Sequence, residues 1–337
     1  VKTETAAEQH PAKGERQHRL ASSAYWVEAV KKWLWIIVRF VLIFGISFVI
    51  LYPILLKLSI SFKNMNDLYD PTVIWVPRTL TLENFKLVFT AMNYPSILMN
   101  TMFLSSVVMI LQTITCVLAG YGFARIKFRG SNLLFAGVVF TILVPSQTIM
   151  IPLYLNFKNF DLFGIIELFR GSPINLINTY WPFIISSMLG MGVKTGLYVY
   201  IFRQFFRGIP REIEEAAYVD GAGYFTTFRK VILPNAIPSM VTVMLFSFVW
   251  QWNDSFFTNM YLNEPKVMSS MMSSSGYAIA THLSGGGAAA LSLTQDPFFM
   301  SMMMNTSVLM AILPLIILYL FVQRHFVESV ERSGLVG

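Results

Sequence analysis

Charged and amide side chains are rare in this chain, so the few set inside long apolar blocks are the first candidates for chemistry. Lys194 lies in such a block, after Ser186 and Ser187. A charge at mid-bilayer costs about 2.5–3.5 kcal/mol on insertion scales, and such residues often line a water-filled path. With Ser186 and Ser187, Lys194 marks a route for a polar solute; the alternatives are a snorkelling stem or an ion pair with Asp254. Trp250, Trp252, Asn253 and Asp254, in WQWND, and Gln147 could stack on and hydrogen-bond a hydroxyl-rich solute. Interface anchoring and helix–helix hydrogen bonding explain the same residues equally well. Nothing here is arranged for covalent chemistry. His10, His18, His282 and His325 lack metal-ligand spacing, and the single Cys116 cannot form an intrachain disulfide. GMGVKTG at 190–196 does not have the spacing of a phosphate-binding loop. No catalytic or metal-binding residue is assigned, and the chain is not read as an enzyme.

The elements that must position these residues follow from composition. Apolar residues make up 55% of the 337 and charged ones 13%, against about 25% charged in soluble domains. The apolar residues gather in blocks of roughly 20, the length at which a helix crosses the hydrocarbon core with every backbone group satisfied internally. The pattern predicts an all-α membrane protein with six transmembrane helices, at 33–58, 100–124, 132–156, 180–206, 236–260 and 302–323, with Pro53, Pro145 and Pro314 inside them. The net charge of +7 does not point to nucleic acid, because the basic residues favour one side. Six lie before the first span, three at Arg125, Lys127 and Arg129, five in 203–234 and two beyond 323. The other side holds Lys57, Lys63, Arg78, Lys86, Lys158, Arg170 and Lys266. The bias places both termini in the cytoplasm of a multi-pass cell-membrane protein. Residues 1–32 are too long and polar for a signal peptide and are expected to be a disordered cytoplasmic tail. Residues 33–99 hold the first span and an outer loop; 100–323 form the core of five spans, and 324–337 a cytoplasmic tail. The outer segment 261–301, rich in Met, Ser and Gly, is expected to be flexible around Ser284–Gly287.

The most informative stretch is GIPREIEEAAYVDGAGYFTTFRKVILP, residues 208–234, between the fourth and fifth spans. Pro210 suits a helix start. Glu212, Glu214 and Glu215 complement the positive end of a helix dipole, and Gly221 suits its stop. A second helical turn is expected from Tyr224 to Val231. Ala216 and Ala217 leave a low surface on which another backbone could dock.

The spacing Glu215-Ala216-Ala217, Gly221, then Val231-Ile232-Leu233-Pro234 resembles the EAA loop of ABC importer permeases. Asp220, Gly221, Ala222 and Phe228 make it similar to the carbohydrate branch, whose type is the smaller permease of a maltose importer. AGYGFARIKFRG (119–130), MIPLY (150–154), NTYW (178–181), WQWND (250–254) and QRHFV (323–327) extend the resemblance from about Asn100 to the C-terminus.

The resemblance implies a type I importer permease fold with a cytoplasmic coupling helix. It assigns ATPase coupling to Glu215, Ala216, Ala217, Asp220, Gly221, Ala222, Leu233 and Pro234, and a tail contact to Gln323, Arg324 and Gly337. Implied partners are a second permease of different sequence, two ATPase subunits and an external solute-binding protein. ATP and Mg would bind the ATPases and no cofactor this chain. The implied cargo is a carbohydrate, an oligosaccharide by preference. A secondary transporter or channel, and an ABC permease for a non-sugar solute, are the rival readings; Asp254 is the one acidic residue within the spans that ion coupling could use.

Overall fold

The computed structural model describes the backbone of residues 13–264 and 266–334, and the side chains of residues 26, 28–264, 266–272 and 274–323. Every element among them is helical, and strand-type pairing is confined to one antiparallel bridge between Phe160 and Ile174. The chain divides into two compact units, Val1–Leu58 and Ser59–Gly337.

The first unit is built on helix α1 (Lys13–Ser61). The polar segment expected to be disordered is helical from Lys13, and its Ala, Glu, Lys, Arg and Gln residues are strong helix formers. The apolar stretch within Glu28–Ser61 buries nothing inside the chain. Trp33, Trp35, Phe40 and Phe44 all stand exposed. A helix apolar all round needs lipid or another helix as its solvent.

The second unit continues with α2 (Met65–Tyr69), α3 (Glu83–Ala91), α4 (Tyr94–Arg125), α5 (Ser131–Leu143), a 3₁₀ turn (Ser146–Ile149), α6 (Met150–Lys158), α7 (Ile165–Arg170), α8 (Trp181–Met188) and α9 (Thr195–Gly208). After these come α10 (Arg211–Val219), α11 (Tyr224–Thr227), a π-helical turn (Phe228–Ile232), α12 (Leu233–Asn235), α13 (Ile237–Asn253), α14 (Phe256–Tyr261), α15 (Met268–Ser284), α16 (Gly287–Gln295) and α17 (Pro297–Gly334). α4 is the axis, packed along α9 and α13. Close approach depends on glycine: a Cβ on Gly120 would stand 2.5 Å from the Phe202 Cβ, and one on Gly196 would stand 2.8 Å from the Val138 carbonyl oxygen. Gly196 thus serves packing of α9 on α5.

The six spans expected from hydropathy are not all continuous helices. Among the described residues, three helical stretches are long and apolar enough to cross a membrane: Glu28–Ser61, Tyr94–Arg125 and Pro297–Gln323. Two more candidates are bent pairs, Ser131–Leu143 with Ser146–Lys158 at 102° and Tyr224–Asn235 with Ile237–Asn253 at 73°. The expected span at 180–206 is divided between α8 and α9, where Gly190 and Lys194 take left-handed backbone. Pro145 stands at the first bend, lacking the N–H a continuous helix would use.

The segment 261–301 also differs from expectation. It folds into α15, α16 and the start of α17, turning at Gly285–Gly287. Met268, Met271, Ile279, Phe299, Met302 and Met303 form a buried cluster with Val88 and Met92. Methionine's unbranched, polarizable side chain fills such irregular gaps well, so the composition that suggested flexibility supplies a core.

Candidate functional site

α10 starts directly after Pro210, with Glu212 and Glu214 in its first turn. It ends in a Schellman motif: the Gly221 N–H donates to the Tyr218 carbonyl and the Ala222 N–H to the Ala217 carbonyl, each at 3.0 Å. Gly221 has φ +83°, a conformation cheap only for glycine. Beyond α11 the expected helical turn to Val231 widens into the π-helical turn, which leads through Leu233-Pro234 into α13. Glu215, Ala216, Asp220, Gly221 and Pro234 are exposed; Ala217, Ala222 and Leu233 are half-buried.

Glu214, rather than Glu215, turns inward. Its Oε1 lies 3.0 Å from the Arg125 Nε, with both side chains almost wholly buried. The two atoms pair as charges while lying off the hydrogen-bonding angle. Arg125 Nη2 also donates to the Ile209 carbonyl at 2.5 Å. One guanidinium therefore joins the end of α4, the residue after α9 and the helix α10. Beside it, Tyr121 packs against Phe206 and Phe228, with ring centres 5.5 and 4.7 Å away. Burial first and the Glu214 carboxylate next raise the Tyr218 phenol above its ordinary pKa. In the same loop, Val219, Tyr224 and Phe225 are 87%, 81% and 73% exposed. These apolar side chains stand beside the exposed Glu215.

A second feature is a cavity of about 410 Å³ at the α8–α9 break, lined by Ser186, Ser187, Lys194, Thr195, Gln251 and Phe257 among others. Lys194 holds its ammonium 4.7 Å from the Trp250 ring centre, a cation–π contact. It does not pair with Asp254. That carboxylate instead accepts from the N–H groups of Phe257 (3.3 Å) and Thr258 (3.0 Å), which caps α14. Gln147 is exposed on the 3₁₀ turn and is not on the cavity lining, and the Asn253 amide donates back to the Val249 carbonyl. The structure thus brings Ser187, Lys194 and Trp250 together, and leaves Gln147, Asn253 and Asp254 apart from them. In the C-terminal helix, the Gln323 amide bonds to the Leu320 carbonyl. The side chain of Arg324, and Gly337 altogether, lie outside the described residues, as do His10 and the side chains of His18 and His325.

Three residues went unnoticed in the sequence. Gln251 is buried on the cavity wall, and its Nε2 has no hydrogen-bond partner. Gln112 is buried in α4; its Nε2 donates to the Val193 carbonyl at 2.8 Å, and its Oε1 accepts from Ser247 at 2.5 Å. Both are amides in apolar runs, the signal that singled out Gln147. Arg125 was visible only as one of several basic loop residues.

The family profile described as "Binding-protein-dependent transport system inner membrane component" matches residues 113–332. The chain is 27% identical over 296 residues to the arabinooligosaccharides transport system permease protein AraQ of Halalkalibacterium halodurans, covering 87% of this chain and 93% of the relative. It is 26% identical over 296 residues to the maltodextrin transport system permease protein MdxG of Bacillus subtilis, with the same coverage. Over 204 residues it is 30% identical to the trehalose transport system permease protein SugB of Mycobacterium tuberculosis, covering 60% of this chain and 68% of the relative. A crystal structure of a bacterial ABC transporter involved in the import of the acidic polysaccharide alginate contains a chain of the same fold. That chain aligns with a TM-score of 0.66 at 20% identity over 95% of this chain and 100% of its own. With these matches and its apolar helices, this membrane protein belongs to the family of binding-protein-dependent transport-system inner-membrane components.

Proposed function

We propose that the chain is the transmembrane permease of an ATP-driven importer for an oligosaccharide. The observation that carries this reading is the 208–234 loop, where a buried ion pair ties α10 to the end of α4 while Glu215, Val219, Tyr224 and Phe225 stand exposed. Such a loop can transmit motion, because its outer face offers a docking surface and its inner face is tied to two long helices. The reading makes α10 a coupling helix, with Glu215, Ala216, Ala217, Asp220, Gly221 and Ala222 against an ATPase and Leu233-Pro234 carrying the displacement into α13. Two ATPase subunits holding ATP and Mg, a second permease chain and an external solute-binding protein complete the machine. The sugar cargos named for the curated relatives support the carbohydrate assignment.

Counting α5–α6, α8–α9 and α12–α13 as one broken span each gives six crossings. With the basic bias, that puts both termini and the 208–234 loop in the cytoplasm. Broken helices suit a path for a polar solute, since irregular backbone within a membrane belongs where it is buried in protein or lines a water-filled cavity. The cavity holding Ser187, Lys194 and Gln251 is assigned to that path, with Trp250 behind the lysine. Gln323, Arg324 and Gly337 are assigned to a tail contact with the ATPases.

The test uses cells carrying the importer. Glu215→Lys should reverse a charge at the ATPase contact, and like charges brought together at an interface disfavour association. The variant should insert normally yet fail to recover with a tagged ATPase subunit and fail to take up radiolabelled oligosaccharide. Normal recovery and uptake would reduce the loop to a connector.

A further inference from the structure

Among the described residues, the five most exposed large apolar side chains occupy only two places. Val219 and Tyr224 belong to the 208–234 loop; Phe163, Leu168 and Phe169, 95%, 80% and 86% exposed, belong to the loop between α6 and α8. That second loop is well built. Phe160 and Ile174 exchange backbone hydrogen bonds of 2.9 and 3.0 Å, and the Leu176 N–H donates to the Phe157 carbonyl at 2.9 Å. Asp161 Oδ1 caps α7 by accepting from the N–H groups of Ile166 (2.8 Å) and Glu167 (3.3 Å). Phe163 is held at φ +55°, a region bulky L-residues avoid. An ordered base thus holds out a bare apolar tip.

The surroundings say what covers it. α6 turns 102° away from α5; with α5 crossing the bilayer, as the six-crossing reading has it, α6 runs nearer the membrane plane and the loop tied to its end stays at that depth. Ile151 and Leu155 of α6, and Trp181 at the start of α8, are exposed on either side of the loop in sequence. The tip is therefore continuous in sequence with further exposed apolar side chains. Lys158 and Arg170, both exposed, flank it, and long basic side chains can lay their stems on apolar surface while their charges reach headgroup phosphates. Large apolar side chains beside basic ones are the composition of segments that lie in the interface plane.

We propose that Phe163, Leu168 and Phe169 form a wedge seated at the headgroup–acyl boundary of the leaflet remote from the 208–234 loop. Its occupant is phospholipid. The wedge would fix the height of the α6–α8 connection, and hence of the α8–α9 break below it, relative to the bilayer. This goes beyond the importer reading and rests on its count of crossings, not on the ATPase contact.

The experiment places a nitroxide at Phe163→Cys, Leu168→Cys or Phe169→Cys, one at a time, in a Cys116→Ser background. The permease–ATPase complex is studied in phosphatidylethanolamine/phosphatidylglycerol nanodiscs without the solute-binding protein. Oxygen partitions into lipid and a charged nickel chelate stays in water. Oxygen should relax the three labels more strongly than the chelate does, with the order reversed at a label on the exposed Ser292→Cys. Chelate-dominated relaxation at all three tip sites would overturn the wedge. So would chelate access that disappears only when the solute-binding protein is added, which would make the tip a protein-docking surface. Because none of these sites lies in the 208–234 loop, the lipid result stands or falls independently of ATPase recovery.

Discussion

The two loops that display bare apolar side chains are held by different physics. The 208–234 loop is held through side chains: an arginine from the end of α4 enters beneath α10, pairs with Glu214 and bonds to the Ile209 carbonyl. The 159–180 loop is held locally, by a backbone bridge, a turn capped by the Asp161 carboxylate and left-handed residues. A locally tied loop keeps its shape whatever α4 does. A loop hung on an arginine at the end of a 32-residue helix moves with that helix. The first arrangement suits a fixed height in a bilayer, and the second suits passing motion between an ATPase and the spans.

The largest expected effect comes from breaking that side-chain tie. Removing one partner of a buried ion pair leaves an uncompensated charge and typically costs about 3–5 kcal/mol, whereas replacing both by apolar residues is often neutral. Arg125→Met alone, or Glu214→Leu alone, should lower recovery of the permease with its ATPase and abolish uptake. The double variant should recover assembly. If the pair also transmits motion, the double variant should still show less uptake per ATP hydrolysed than the wild type. Assembly and coupling ratios measured on the four proteins of this cycle separate the two roles. Equal behaviour of all four would mean that the loop is held by the Tyr121–Phe206–Phe228 packing instead.

Intermediate effects should appear at the left-handed residues, with opposite signs at the two loops. An L-residue in that conformation costs roughly 1–2 kcal/mol. Gly221→Val should therefore destabilise the turn after α10 by about that amount and lower ATPase recovery. Phe163→Gly should relieve backbone strain of the same size while removing the proposed lipid contact, so its net effect on the thermal midpoint should depend on the surroundings. In detergent micelles the midpoint should rise or hold, and in nanodiscs the gain should shrink. A uniform loss in both media would show that Phe163 packs on protein.

How far the sequence could be read follows the same division. Pro210, the early glutamates and Gly221 act locally, through helix starts, dipoles and φ, and the helix they mark is found at Arg211–Val219. The membrane character was equally plain from the apolar blocks. What hydropathy could not show is continuity, because apolar residues in a bent or broken helix look like those in a straight one; the division between α8 and α9 was hidden for that reason. Lys194 read as a charge in mid-span, but it sits at the N-cap of α9 with φ +60°. The Arg125–Glu214 pair joins residues 89 positions apart, and no spacing rule connects them. In 261–301 serine, glycine and methionine describe both a linker and a tightly packed helical layer, and only the tertiary partners Val88 and Met92 decide between them.

The smallest effect is expected at the exposed counterpart of the buried ion pair. The Tyr69 hydroxyl donates to Asp296 Oδ2, joining α2 to the residue before α17. Asp296 also accepts from the Phe298 N–H at 2.9 Å and the Phe299 N–H at 3.3 Å. The Tyr69 hydrogen bond first, and those backbone N–H groups next, hold the Asp296 carboxyl below its ordinary pKa, while the same bond raises the Tyr69 phenol. A carboxylate with a depressed folded-state pKa contributes stability above its unfolded value of about 3.9, and loses it as pH falls through the lower folded value. Solvent screens so exposed a pair, so its share should be far below that of Arg125–Glu214. Tyr69→Phe should lower the thermal midpoint slightly at neutral pH, and the gap to the wild type should close as the solution is acidified past the ordinary carboxylate range. Asp296→Asn removes the titrating group and should show a gap that closes over the same acid range. A gap that stays constant with pH in both variants would mean that α2 and α17 are held by the Tyr69–Phe298 ring contact at 5.0 Å and not by charge.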